Sequence, residues 1–328
     1  MRGSDAITPP PVDVALVAFR RWDLTRSCLD HLARQTRAHR VYLCDNGCDE
    51  DTSEHVRAEF PDVEVVRMER NMPYAVACNA AVAAGTSEAV VMMNNDVDAR
   101  PDFVGRLVAP LAASPRVGSV AALLVRPGEQ EIDSAGLVAD RTLAAFPRWQ
   151  GHHPSQARAD QPALTGPAGA AAAFRRAAWE QVGGLDETIR AYMEDFDLAV
   201  RLRGAGWEAA LALDAVAVHI GSATFGHRSV TSRRSGGFGR GYVLRRYGVL
   251  RSRAALRALA TEAIVVVGDI AISRDTAALR GRLAGWRAAA GMPRNALPAP
   301  DVVDGGISLL DSLRLRRGGY SSGAKVPR

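Results

Sequence analysis

Short apolar runs alternate with amphipathic stretches through the first third of the chain, the pattern of a sheet buried on both faces and wrapped by helices. Residues 12–19 read as a buried strand, and 24–33 as a helix gathering Leu24, Cys28, Leu29 and Leu32 on one face. The alternation continues with a strand at 40–44, a helix through Val56 and Phe60, a strand at 63–68, a small-residue helix at 74–84 and a strand at 89–93. Pro101 suits the first turn of a helix through Phe103, Leu107 and Leu111, and 117–125 is a further strand. These elements predict an α/β fold with a doubly wound, mainly parallel sheet.

From about 129 to 167 the pattern loosens into loops and short strands. Regularity returns with a strand at 169–174, a helix at 176–182 stopped by Gly183-Gly184, and a helix at 194–205 with Phe196 and Val200 inward. Strands at 207–213 and 215–220 follow. Beyond His219 the chain is rich in glycine and arginine to about Gly241, then helical to about Ala290, then rich in Pro, Gly and Arg. The expected layout is a disordered segment at 1–11, a catalytic unit at 12–222 with its nucleotide half at 12–100 and acceptor half at 101–222, a basic helical extension at 223–292, and a mobile tail at 293–328.

Composition is that of an ordinary globular protein: 328 residues, 47% hydrophobic and 23% charged, which excludes a disordered chain. The formal charge of +5 matters less than its placement. No Asp or Glu occurs from Ala215 to Thr261, while nine arginines fall there, a block suited to phosphates, polyanions or an anionic membrane. A solvated basic face would read the same. Cys28, Cys44, Cys48 and Cys78 lack the paired spacing of a structural zinc site and read as reduced thiols of a cytoplasmic protein. The N-terminal residues have no apolar run of secretory type, and the stretch from 263 to 272 is too short, and too charged at Asp269, to span a bilayer. Any membrane contact is therefore expected to be peripheral, on the inner face of the cell membrane.

The ligand crevice of an open α/β sheet lies beyond the carboxyl ends of its strands. Asp45 follows the second strand and Asn94-Asn95-Asp96 follows the strand ending at Met93, so both face that edge. Each could serve only as a turn or a helix cap. A third acidic cluster, Glu194, Asp195 and Asp197, crowds a helix start, where three acids in four positions exceed what capping requires. His219 closes an apolar strand. Alone it reads as a core histidine; beside an Asp from another strand it becomes a candidate ligand for Mn²⁺ or Mg²⁺.

Taken in order, VALVAFRR, VYLCDNGCDEDT, NMPYAVACNAAV, VVMMNNDVDARPDF, AGAAAAFRRAAWEQVGGLDE, YMEDFDLAVRLRGAGW and VAVHIGSATF closely resemble glycosyltransferase family 2. The likeness is greatest to bacterial rhamnosyl- and galactofuranosyltransferases of cell-surface polysaccharide synthesis, and it covers about 12–225. It implies a GT-A fold and a metal-dependent, inverting transfer from a nucleotide-sugar donor, dTDP-rhamnose or a UDP-sugar, to a glycan or polyprenyl-diphosphate-linked acceptor. It assigns Asp45, with Asn46 beside it, to the nucleobase, Asn79 to the donor's vicinity, and Asn94, Asn95 and Asp96 to the D-x-D position. The first acid of that motif is replaced by Asn94, which leaves Asp96 as direct metal ligand with His219. Asp195 takes the place of the catalytic base, with Gly169, Glu194 and Asp197 on the acceptor side.

Phe19-Arg20 and Met72-Pro73 depart from the family's usual Tyr-Asn and Leu-Gly, both near the donor. No nucleic-acid partner is expected, and a homodimer stays open. Two alternatives stand beside this reading: a sugar nucleotidyltransferase, although VAFRRWDLT lacks a glycine-rich phosphate loop, and a non-enzymatic polyanion- or membrane-binding protein. One further expectation concerns 242–259, which interleaves leucines with arginines as an interfacial helix would.

Overall fold

The computed structural model describes residues 11–47, 51–160, 163–221 and 229–316. The N-terminal segment apart from Pro11, Cys48, the boundary near Ser222, Arg228 and the last twelve residues of the expected tail lie outside these. The chain begins with β1 (Val12–Ala18), α1 (Trp22–Ala33), β2 (Arg40–Asp45), α2 (Thr52–Glu59), β3 (Glu64–Arg67), α3 (Tyr74–Ala84) and β4 (Ala89–Asn94). It continues through β5 (Val97–Ala99), α4 (Phe103–Ala113), β6 (Val117–Val125), β7 (Ile132–Ser134), β8 (Leu137–Ala139) and β9 (Ala145–Pro147). The catalytic portion closes with β10 (Ala171–Arg175), α5 (Arg176–Val182), α6 (Glu194–Gly204) and β11 (Glu208–His219). Four helices follow: α7 (Val230–Arg246), α8 (Ala255–Ser273), α9 (Ala277–Ala288) and α10 (Leu309–Leu315).

The main sheet runs β3-β2-β1-β4-β10-β6-β11-β5, with β7 beside β6. Its first four strands are parallel, and β1 (VDVALVA) is buried at every position, as a strand covered on both faces must be. The second half makes the sheet mixed rather than mainly parallel, because β10 runs antiparallel to both β4 and β6. One core packs α1 and α4 against one face; the other packs α3, α5 and α6 against the opposite face. The two strands expected after Trp207 are one strand, β11, carried past Asp214 by a register shift between Ala212 and Val216.

Three readings of the C-terminal region change. The glycine-rich stretch up to Gly241 is helical, inside α7, because its glycines form a packing seam. A Cβ at Gly241 would lie 2.0 Å from the Arg282 carbonyl oxygen, and one at Gly285 would lie 1.9 Å from that of Phe238. Backbone meets backbone here, and only glycine permits it. Next, 242–259 is not one interfacial helix. It breaks after Arg246, and Leu244, Tyr247 and Val249 are buried, while Leu256 and Leu259 lie on α8 and are exposed. Finally, the part of the expected mobile tail that is described packs down: Val302, Ile307 and Leu315 are buried, and Thr165 donates to the Val302 carbonyl at 2.7 Å.

Three arginines of the acid-free block pair with acids distant in sequence. Arg240 donates to Glu262 at 2.7 Å, Arg233 to Asp269 at 2.9 Å, and Arg257 lies 3.3 Å from Asp140. Burial acts to raise the Glu262 pKa, but Arg240, Arg316 and Arg282 outweigh it and hold the carboxyl at about 2. Among the described residues no helix is long and apolar enough to cross a membrane.

The glycine seam predicts that Gly241→Val, which forces α7 away from α9, destabilises the protein by about 1–3 kcal/mol or more. Thermal unfolding checks this; a melting temperature equal to the parent's would mean that the seam yields freely.

Candidate functional site

A cleft of about 1270 Å³ opens at the carboxyl edge of the sheet, lined by Asn94, Asn95, Asp96, Asp133, Gly169, Glu194, Asp195 and His219. Sheet register explains half of this gathering. Val97 pairs antiparallel with His219, and the Ile220 N–H donates to the Asp96 carbonyl at 3.0 Å, so Asp96 is fixed beside the histidine. One Asp96 carboxylate oxygen, Oδ1, is buried without a hydrogen-bond partner and lies 3.5 Å from His219 Nε2. The other ring nitrogen, Nδ1, is 2.7 Å from Asp133 Oδ2. Burial acts to lower the His219 pKa, but the Asp133 and Asp96 carboxylates more than reverse it, to about 9.

An unpartnered carboxylate oxygen facing an imidazole nitrogen is an arrangement that a divalent cation fits. The described residues contain no group of three or more acidic, His or Cys ligands, so an ion held here by Asp96 and His219 would need its other positions filled by substrate oxygens and water. Asp133, which sequence reasoning missed, orients the ring from behind, the arrangement that a ligating histidine would require.

The other half of the gathering comes from a strained turn. Tyr192 and Met193 both adopt left-handed backbone, with φ of 66° and 78°, just before α6. Such geometry in non-glycine residues costs energy and concentrates at functional sites. It swings Glu194 and Asp195 into the cleft. Asp195 accepts from the Gly169 N–H at 2.9 Å and from its neighbour Phe196 N–H at 2.7 Å, and a Cβ at Gly169 would stand 3.3 Å from the Asp195 carboxylate oxygen.

Burial pushes both acids upward. Glu194, further opposed by the Asp195 charge and with Oε2 lacking a partner, reaches about 8, while the N–H bonds restrain the rise at Asp195. Glu194 is therefore mostly protonated near neutrality, while at Asp195 the two N–H donors act against burial and favour the charged form.

The remaining sequence candidates separate. Asn46 locks the donor edge by accepting from the Met72 N–H at 2.9 Å and donating to Asn71 and the Met72 carbonyl. An adjoining pocket of about 600 Å³ is lined by Phe19, Arg20, Gly47, Met68 and Asn71. Asp45 is 2% exposed and accepts from Ser53; Asn46 and Gly47, rather than Asp45, line the pockets. Asn79 does not reach the cleft, because it clamps the loop after α5 through the Leu185 backbone and Glu187. Asp197 is fully buried in a structural pairing with Arg201 and Tyr247, away from the acceptor side. Asn94 accepts from the Tyr74 hydroxyl at 2.5 Å, and Asn95 donates to Thr25 at 2.8 Å. Arg190 and Arg234 add positive charge at the rim; Arg234 belongs to the acid-free arginine block, whereas Arg190 did not stand out in sequence.

The model of glycosyl transferase family 2 matches residues 13–183, just over half of the 328 residues. The chain belongs to this family. It is 28% identical over 189 residues to an N-acetylglucosaminyl-diphospho-decaprenol L-rhamnosyltransferase of Mycobacterium tuberculosis, covering 51% of this chain and 62% of that one. An O-antigen biosynthesis protein, RfbC, of Myxococcus xanthus is 27% identical over 216 residues, covering 60% of this chain but 16% of its own length. The chain thus spans less than two thirds of these relatives.

Among solved structures, GalNAc-T7 with UDP, GalNAc and Mn²⁺ superposes with a TM-score of 0.60 at 14% identity, over 77% of this chain and 50% of that one. The mannosyltransferase PcManGT from Pyrobaculum calidifontis, with GDP-Man and Mn²⁺, gives 0.51 at 19% identity over 86% of each chain. These likenesses establish the GT-A fold with its helical C-terminal region. Family membership sets aside the nucleotidyltransferase alternative.

Two outcomes follow from the geometry. Asp133→Asn should weaken Mn²⁺ binding about 10- to 100-fold without altering metal-free nucleotide binding, as titration calorimetry would show; an unchanged Mn²⁺ affinity returns Asp133 to a structural role. Glu194 has a folded pKa of about 8 against an ordinary value of 4.5, so its stabilising contribution is full below the lower value and lost as pH rises through the upper. The melting temperature of Glu194→Gln should therefore gain on the parent between about pH 5 and pH 8.5. A pH-independent difference counts against the raised pKa.

Proposed function

We propose that the chain is an inverting glycosyltransferase that moves a sugar from a nucleotide diphosphate donor to a hydroxyl group, with Asp195 as general base. The carrying observation is that one cleft collects Asp96 from the β4–β5 turn and His219 from the end of β11 together with an Asp195 whose carboxyl accepts two backbone N–H bonds. In-line displacement at the anomeric carbon requires the incoming hydroxyl to lose its proton as the new bond forms. Asp195 is oriented for that task, while protonated Glu194 beside it keeps a second negative charge out of the buried pair. Asp96 and His219 would hold a divalent cation, Mn²⁺ or Mg²⁺, and that ion would offset the charge of the departing diphosphate.

Asn46 and the Phe19–Arg20 turn shape the pocket in which the nucleotide would sit. The donor would be dTDP-rhamnose or a UDP-sugar; the mycobacterial relative, by name an L-rhamnosyltransferase of N-acetylglucosaminyl-diphospho-decaprenol, supports rhamnose as the sugar and a polyprenyl-diphosphate-linked acceptor. Arg190 and Arg234 at the rim suit a phosphate-bearing acceptor of that kind. The enzyme would then work at the cytoplasmic face of the cell membrane.

Incubation with a panel of dTDP- and UDP-sugars and Mn²⁺, with and without EDTA, tests the reading. One donor should be turned over and EDTA should abolish turnover. Asp195→Asn should lower the rate by about 10² to 10⁴ while donor affinity stays within about twofold. Near-normal turnover in that variant would move the base elsewhere, and full activity after chelation would remove the metal from the scheme.

A further inference from the structure

We propose that the outward face of α8 docks on an anionic lipid surface. The helix is inside out. Its solvent side carries Leu256, Leu259, Ile264, Val267 and Ile272, which are 83%, 53%, 49%, 66% and 72% exposed. Leu256, Leu259, Ile264 and Val267 fall at i, i+3, i+8 and i+11, one side of a helix, and Ala260 and Ala263 fill the same stripe. The two acids of α8 are turned inward instead. Glu262 and Asp269 retain only 12% and 13% side-chain exposure, held by Arg240 and Arg282 and by Arg233. Ordinary surface helices show the reverse order, and an exposed apolar stripe of this length marks a binding face.

Charge selects the occupant. Arg251 and Arg253 precede α8 and Arg274 follows it; all three are exposed and outside any salt bridge among the described residues. A second copy would bring like charges together at the helix ends, whether the two helices paired parallel or antiparallel. Anionic headgroups neutralise both ends while the stripe enters the acyl boundary, the arrangement of an interfacial helix. Nucleic acid would match the arginines but leave the stripe in water.

Position gives the contact a use. Arg233 in the first turn of α7 pairs with Asp269 near the end of α8, and Thr231 and Arg234 of that same turn line the cleft. Docking through α8 brings the rim of the cleft to the lipid, where an acceptor on a lipid anchor is presented. That use rests on the glycosyltransferase reading; the docking itself does not.

Co-sedimentation of the full chain with phosphatidylcholine vesicles, with and without phosphatidylglycerol, tests the surface and requires neither donor nor acceptor. Binding should appear with phosphatidylglycerol and weaken as salt rises. Leu256→Gln/Val267→Gln and, separately, Arg251→Gln/Arg253→Gln should each lower it about tenfold or more, with melting temperature and donor turnover unchanged. Absence of binding at low salt, or equal binding by both variants, overturns the proposal. So does a dimer in sedimentation velocity that Leu256→Gln/Val267→Gln dissociates, which would make a second copy the occupant.

Discussion

Gly239 of α7 lies so close to the Tyr192–Met193 turn that a Cβ there would stand 2.3 Å from the Tyr192 carbonyl oxygen, and the chemistry of the cleft depends on that approach. Two consecutive non-glycine residues in the left-handed region are unfavourable on their own. They persist because α7 is laid across them, and α7 can lie there because Gly237 and Gly241 let it sink onto α9. The strained turn in turn presents Glu194 and Asp195 to Gly169 across the cleft. A helical region outside the family-matched residues thus acts as the backing plate of the acidic pair. Loss of that backing would relax the turn before it disturbed the sheet.

The two halves of the site are built by different physics. Asp96 and His219 are set by strand register, a rigid device in which β5 and β11 are hydrogen-bonded residue to residue. Glu194 and Asp195 are set by backbone strain and a helix start. The rigid half suits an ion that tolerates little variation in ligand distance. For the acidic half, the essential matter is which of two buried carboxyls keeps the proton. The Gly169 and Phe196 N–H groups act against the burial that raises Asp195 and favour its charged form over that of Glu194, whose Oε2 has no partner.

Fully apolar strands and one-sided helices made the first half of the fold legible in sequence, since each element's period survives in its own residues. Asp96, Asp195 and His219 were legible as well, because each closes or opens a regular element. Asp133 was not, lying in an irregular stretch 86 residues from the histidine it orients. Asn79 and Asp197 misled for the opposite reason: they sit in motif positions, yet their side chains are spent on Leu185 and on Arg201. The helix α7 was hidden because glycine signals a loop by propensity, and only the tertiary approach to α9 turns a helix with four glycines among its 17 residues into a seam.

The acid-free arginine block was only partly legible for the same reason. Acids at 140, 262, 269 and 275, three of them from the helical region itself, pair with Arg233, Arg240 and Arg257. Glu262 is the centre of this arrangement, shared by Arg240, Arg282 and Arg316, and burial among like charges holds the last of these at about 10. A buried carboxylate serving three guanidinium groups fixes the face that α8 turns inward, because rotating the helix would strand those charges at a cost of several kcal/mol. The apolar side of α8 is therefore outward by constraint rather than by default. What the sequence displays as a diffuse basic region resolves into an interior ion cluster and a few free arginines at the ends of one exposed apolar helix.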